Sequence, residues 1–466
     1  MDAETLARWQ FAVTTVYHFF FVPLTIGLAG LVALLQTVWV RTNNDKYLRL
    51  TKFYGKLFLI NFALGVVTGI VQEFQFGMNW SSYSRFVGDV FGAPLALEGL
   101  LAFFLESTFL GLWIFGWDRL PRRLHLATIW IAASGTVLSA YFILAANSFM
   151  QNPVGFRFNP ETGRAELTDF VAVLTNPVLT VTFPHQIFGA FMVAGAFLAA
   201  VGGWHLLSGT RDAGAWLISV RIGAVTLLLT GLGVLVSGDL QGKVMTEVQP
   251  MKMAAAEALY DTEQPAAFSL LTIGTPDGLR EVWAVTVPRL LSFLATGTFD
   301  GRVEGINDLQ AQYAALYGPG DYAPYVPLTY WSFRLMIALG LVGMGLGALL
   351  LWTTRRGRPL RSTTWKPLLL ALPLLPLLAN SVGWIFTETG RQPWLVFGQL
   401  TTSAGVSPGT TLAEVVISLT VLTLVYGVLA VIEGRLLLRT IRAGLPQIPA
   451  ETDDRADEDR PLSFAY

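Results

Sequence analysis

Five ionisable side chains lie where a charged group is hard to keep. Glu73, Glu98, Glu106, Arg334 and Glu388 fall within long apolar stretches. A charge inside a lipid-embedded segment is costly and ordinarily marks an ion path, a proton relay or a cofactor. Glu98 and Glu106 are eight residues apart, which on an ideal helix is about 12 Å along the axis and about 80° around it. Carboxylates stepped in this way can pass protons with help from water or from hydroxyls such as Ser107 and Ser139. The plainer alternative is a pair of carboxyls buried in a helix interface.

The chain has four histidines and nine methionines. His18 and His185 are immersed in apolar sequence, at the same end of the segments that carry them. An imidazole in lipid needs a partner, and either a hydrogen-bonding neighbour or haem iron would serve. His125 sits in a basic loop, and His205 lies 20 residues beyond His185, about 30 Å further along one helix. Both read as interfacial structural residues. Met336 alone would read as packing. It stands beside Arg334, however, and a thioether opposite an imidazole gives a low-spin six-coordinate haem, with a guanidinium to neutralise a propionate. His18, Glu73, His185, Arg334, Met336, Glu388 and Arg391 all map toward one face of the membrane.

Lipid is what must surround the elements that hold these residues. Only 14% of the 466 residues are charged and 53% are hydrophobic, against about 25% charged in an ordinary soluble chain, and the mean hydropathy is +0.53. A net charge of −1 argues against nucleic acid as a partner, and the lack of cysteine excludes disulfides, iron–sulfur clusters and thiolate haem ligation. Nine segments can cross a core of about 30 Å, at roughly 13–40, 55–76, 94–117, 124–147, 183–207, 216–237, 330–353, 367–388 and 411–434. The expected fold is an all-α integral membrane bundle. The first segment is too long, and its flank too poor in basic residues, for a cleavable signal peptide.

Basic residues set the orientation. Arg41, Lys46, Arg49, Lys52, Arg119, Arg122, Arg123, Arg211, Arg355, Arg356, Arg358, Arg361, Lys366, Arg435, Arg439 and Arg442 flank one side, sixteen against the five of Arg8, Arg85, Arg157, Arg164 and Arg391. The N-terminus is therefore expected outside and the C-terminus inside. The chain divides into residues 1–237 with helices one to six, an outer loop 238–326 with amphipathic stretches near 250–261 and 303–317, residues 327–445 with helices seven to nine, and a tail 446–466. The tail's acidic run at 451–460 is expected to be disordered. No internal repeat is visible, which weighs against an inverted-repeat transporter.

Longer stretches now add up. RWQFAVTTVYHFFFVPLTIGL (8–28), EFQFGMNW (73–80), LEGLLAFFLES (97–107), MQNPVG (150–155), FPHQIFGAF (183–191), KMAAAE (252–257), YWSFRLM (330–336) and GRQPW (390–394) together resemble subunit I of the cytochrome bd-type quinol oxidases, in the right order and over nearly the whole membrane region. The resemblance implies two haems b, one low-spin and one high-spin, and a haem d that a further haem b can replace. It implies that His185 and Met336 are the low-spin axial pair with Arg334 beside them. It further implies that His18 and Glu388 are high-spin haem ligands, and that Glu98 is a carboxylate at that site and a candidate haem d ligand. Glu106, Ser107 and Ser139 match the family's proton route, Arg8, Glu73 and Arg391 its haem surroundings, and Lys252 and Glu257 its quinol-binding residues. On spacing alone those last two, five residues apart and about 140° around a helix, read as a solvated ion pair.

The expected activity is oxidation of quinol (menaquinol or ubiquinol) at the outer face and reduction of O2 to water with protons drawn from the cytoplasm. Charge is then separated without a pump, in a bacterial plasma membrane. The expected partners are a second hydrophobic subunit (subunit II of the oxidase) and small single-helix subunits. Two rivals make different demands. A b-type relay cytochrome would use His18 and His185 on one bis-His haem and needs no buried carboxylate path. A haem-free transporter would use its carboxylates to couple protons to a solute.

Overall fold

The computed structural model describes residues 2–210, 212–358, 360 and 362–447. Arg211, Arg361 and the acidic run at 451–460 lie outside the described residues.

Nine spans long and apolar enough to cross a membrane occur among the described residues. The first is broken into α1 (Ala3–Phe19) and α2 (Val22–Thr42). Pro23 lacks the N–H that would bond the Phe19 carbonyl, and the Asn61 amide instead caps the break by donating to the Phe21 carbonyl at 2.9 Å. His18 thus sits in a last helical turn, held at a fixed break. The second span is α3 (Asp45–Met78), started by Asn44, whose side chain accepts from the Lys46 amide. The third joins α4 (Ser81–Leu97), a π-helical segment at Glu98–Phe103 and α5 (Phe104–Phe115). Next come α6 (Arg122–Gln151), a hairpin of β1 (Phe156–Asn159) and β2 (Arg164–Leu167), and the short α7 (Phe170–Leu174).

The fifth span, α8 (Pro177–Leu207), begins earlier than the apolar run predicts. Asn176 caps it and Pro177 occupies the first turn, where a missing N–H costs nothing. Pro184 is therefore inside the helix, and His185 lies in its third turn rather than at its start. The sixth, α9 (Ala213–Val248), runs past residue 237 because polar residues continue it, Lys243 pairing with Asp239 one turn back at 2.6 Å. The long loop between α9 and the seventh span holds α10 (Pro250–Glu257), the hairpin of β3 (Phe268–Gly274) and β4 (Glu281–Val287), α11 (Leu290–Thr296) and α12 (Ile306–Tyr317). The two amphipathic stretches are α10 and α12; the hairpin was not expected. The chain closes with α13 (Val326–Thr353), α14 (Trp365–Thr389), β5 (Trp394–Val396) and β6 (Leu400–Thr401), α15 (Thr402–Gly405) and α16 (Leu412–Ala443).

Because lipid tails are as apolar as leucine, helices in a bilayer are held by close packing rather than by hydrophobic expulsion. Close crossings include α8 on α9, where a Cβ at Gly223 would lie 2.5 Å from the Gly195 carbonyl oxygen, and α2 on α8, where one at Gly27 would lie closer still to the Ala190 carbonyl oxygen. The main apolar cluster joins α2, α3, α5, α6, α8 and α9 around Leu28, Tyr54, Phe58, Trp113 and Trp216. The other end of the bundle carries His18, His185, Lys252, Glu388 and Arg391.

Candidate functional site

The four histidines separate cleanly by what their ring nitrogens meet. At one end of the bundle, His125 Nε2 bonds the Trp113 carbonyl at 2.8 Å while its Nδ1 meets the Gln36 amide at 2.9 Å. His205 Nε2 bonds the Ile441 carbonyl at 2.9 Å, and its ring stacks on Trp216 at 3.9 Å. Both are structural, as their positions suggested. At the other end, His18 Nδ1 meets Thr68 Oγ1 at 2.9 Å and His185 Nδ1 meets Ser237 Oγ at 3.1 Å. Neither Nε2 has a hydrogen-bond partner among the described residues. Each of these two rings lies against a glycine: a Cβ at Gly69 would stand 3.1 Å from His18 Cε1, and one at Gly238 would stand 3.3 Å from His185 Cε1.

Met336 lies ten residues into α13, about 15 Å from its start, with its sulfur so close to α14 that a Cβ at Gly383 would be 2.6 Å away. Arg334, two residues earlier on the same helix and about 160° around it, is spoken for. Its guanidinium grips Glu257 through two nitrogens (2.6 and 3.3 Å), donates to the Ser269 carbonyl at 3.0 Å, and lies over the rings of Phe268 and Tyr330. The result is a buried ion pair that ties the loop between α9 and α13 to α13 itself.

Lys252 and Glu257 are not a solvated pair. Both are buried, and they point to different partners, as their angular separation on α10 requires. Lys252 Nζ donates to Gln151 Oε1 at 3.1 Å and to the Thr387 carbonyl at 2.9 Å. Burial pulls its amine down to about 7. Burial likewise raises the Glu257 carboxyl, with Arg334 opposing the shift. An ammonium brings three donors to two acceptors, whereas a neutral amine has two N–H groups for those acceptors and a lone pair to spare.

Glu388, in the last turn of α14, accepts from Asn147 of α6 at 3.0 Å and pairs with Arg391. Arg391 is 2% exposed, yet among the described residues its Nε and Nη1 have no partner, and nearby Trp394 Nε1 and Tyr83 Oη are also buried without one. Buried donors left open in this way are the exception in proteins; a guanidinium of this kind suits a carboxylate-bearing group.

The two stepped carboxylates do face one helix. Glu98 Oε1 accepts from Ser139 Oγ at 2.7 Å. Glu106 lies against Gly135, where a Cβ would come within 2.8 Å of Glu106 Cγ. Gly135 and Ser139 are one turn apart on α6. The π-helical segment starting at Glu98 inserts an extra residue into the turn, which takes back about 100° of rotation and cancels the roughly 80° of an ideal helix. Ser107 is not part of this line: it is exposed and bonds only its own helix, at the Phe104 carbonyl. Glu73 and Arg8 are likewise exposed, Arg8 with no partner among the described residues.

Sequence reasoning missed Thr68, Ser237, Asn147 and Gln151. One signal was available for the first two. A hydroxyl residue followed by glycine occurs at 68–69 and at 237–238, each the same distance from the C-terminal end of its helix to within a turn.

Fit to haem can be judged from the donors present. Two imidazoles with open Nε2 atoms, a thioether on a facing helix and a buried arginine with unmet N–H groups are what iron and propionates require. Glu388 is the weaker fit, its carboxylate already held by Arg391 and Asn147. Taken together, this is a polytopic membrane protein whose open imidazoles and unmet guanidinium N–H groups would fit a redox cofactor, with Glu98 and Glu106 stepped along α6.

The family model described as cytochrome bd terminal oxidase subunit I matches residues 6–445. Cytochrome bd ubiquinol oxidase subunit 1 of Bacillus subtilis (strain 168) is 48% identical over 98% of both chains. Cytochrome bd-II ubiquinol oxidase subunit 1 of Escherichia coli (strain K12) is 38% identical over 97% of this chain and 98% of that one. The bd oxidase structure from Geobacillus thermodenitrificans superposes with a TM-score of 0.85 at 29% identity, covering 95% of this chain and 99% of that one. The chain belongs to the cytochrome bd terminal oxidase subunit I family.

Proposed function

We propose that the chain is the haem-bearing subunit of a membrane terminal oxidase that oxidises quinol at its outer face and reduces O2 to water. His185 and Met336 would hold the low-spin haem b. His18 would hold a high-spin haem, with Glu388 and Glu98 as the remaining high-spin ligands, one of these haems being d or a b in its place. Bound there, the haems supply electron transfer and oxygen chemistry. Arg391 supplies buried donors for propionates. The observation that carries this reading is the contrast between histidines: the two outer imidazoles keep Nε2 open, while the two inner ones use it on backbone carbonyls.

The remaining residues divide the proton work. Lys252, as a neutral amine, accepts a hydrogen bond or proton from quinol, and Glu257 sits on the same short helix with Arg334 to hold it. Protons released there leave to the outside. On the other branch Glu106, then Glu98 with Ser139, hand protons from the cytoplasmic side toward the oxygen site, so that charge is separated without pumping. The setting is a bacterial plasma membrane, N-terminus outside, with subunit II of the oxidase as partner and small single-helix subunits beside it. Menaquinol and ubiquinol both suit the chemistry of Lys252. Relatives named as ubiquinol and as menaquinol oxidases are both similar to this chain. The test is quinol-dependent oxygen uptake by the purified complex. Wild type should consume oxygen and His18→Ala should not, through loss of a high-spin haem; a fully active His18→Ala complex would reject the site.

A further inference from the structure

His18 and His185 lie on different helix pairs yet meet the same local device. Thr68–Gly69 on α3 and Ser237–Gly238 on α9 each offer a hydroxyl to Nδ1 and a glycine that lets the ring lie on the helix. The hydroxyl's single proton is already committed to its own helix. Thr68 Oγ1 donates to the Leu64 and Gly65 carbonyls at 3.0 Å each. Ser237 Oγ donates to the Gly233 carbonyl at 2.7 Å, with the Val234 carbonyl at 3.3 Å. Only lone pairs remain to face the imidazole, so the ring must be the donor, with its proton on Nδ1. A neutral imidazole carries one N–H, so Nε2 keeps its lone pair. The inner histidines are the reverse: Nε2 donates to the Trp113 and Ile441 carbonyls.

We propose that Thr68 and Ser237 are positioning residues that fix the Nδ1–H tautomer of His18 and His185, present Nε2 to haem iron, and set how strongly each imidazole donates to it. This rests on the reading of those two histidines as haem ligands. An acceptor on Nδ1–H makes a ligating imidazole more basic, which favours ferric over ferrous iron; such outer partners are worth tenfold or more to a metal site in many proteins. The His185 ring also has the Val234 carbonyl as a backbone acceptor, so Thr68 should matter more than Ser237.

The test is a spectroscopic redox titration of the complete complex carrying Thr68→Val, which keeps the shape and removes the hydroxyl, or Ser237→Ala. Both haems are expected to be retained. At fixed potential the ferrous-to-ferric ratio of the His18 haem should rise about threefold to tenfold in Thr68→Val, tenfold being about 59 mV for one electron. A smaller rise is expected for the His185 haem in Ser237→Ala. Thr68→Ser and Ser237→Thr should restore wild-type titrations. Loss of just one haem, rescued by the same conservative replacement, would support the same role. Wild-type titration in both hydroxyl-free variants would overturn it. If instead His18→Ala and His185→Ala keep their haem bands, the ligand reading itself fails, which is a separate outcome.

Discussion

Lys252 gives the sharpest handle on quinol chemistry. Its amine is buried between Gln151 and Thr387 and lowered from 10.5 to about 7. A shift of that size means that charging the group in place costs about 5 kcal/mol more than in water, at roughly 1.4 kcal/mol per pH unit. Near pH 7 the group is therefore about half neutral, and the neutral form is the one with a lone pair to offer. Quinol oxidation should rise with pH through about 7 and then level off. Lys252→Arg keeps a permanent charge, and Lys252→Met has no base. Both should remove this rise and lower kcat/KM for quinol about a hundredfold, the lower range for a lost general base, with haem spectra unchanged. The folded group releases its proton near 7 and the unfolded one only near 10.5. Folding therefore releases a proton between those values, and this residue's contribution to stability improves with rising pH across that window and is flat below it. The assay is oxygen uptake at limiting quinol from pH 6 to 9. A Lys252→Arg enzyme with the wild-type rate and the same rise near 7 would refute the reasoning.

Other substitutions separate the remaining parts. Glu257→Gln leaves the Arg334 guanidinium buried without its counter-charge, so the complex should lose about 3–5 kcal/mol of stability, read as earlier thermal loss of the low-spin haem band; an unchanged melt would mean that the loop is anchored elsewhere. Met336→Leu should turn the low-spin haem spectrum high-spin while the oxygen site persists. An unaltered low-spin band removes the thioether as ligand. Glu106→Gln should slow oxygen reduction with every haem retained, whereas full turnover would return Glu106 to packing.

Much of this architecture was legible because lipid imposes one simple demand. Apolar runs of sufficient length marked the nine spans found among the described residues, and charges within those runs pointed to Glu98, Glu106, Arg334 and Glu388. The fold buries these or gives them hydrogen-bond or ion-pair partners. What composition could not give was local geometry. The π-helical segment at Glu98 aligns two carboxylates that an ideal helix would turn apart, and nothing in LEGLLAFFLES announces the extra residue. Helix ends were set by caps and polar pairs, Asn176 before α8 and Asp239 with Lys243 within α9, so apolar runs underestimated both. The Arg334–Glu257 pair was not legible because the two residues are remote in sequence, and only the folded loop brings them together. Spacing made Lys252 and Glu257 look solvated; the loop that buries them is invisible to periodicity.

The most direct test of the whole account is a reduced-minus-oxidised visible spectrum of the purified complex, with pyridine haemochrome extraction. The account predicts b-type bands and a further high-spin haem, a chlorin band to the red identifying it as haem d and its absence leaving b in that position. A complex that folds and assembles but carries no haem would contradict it.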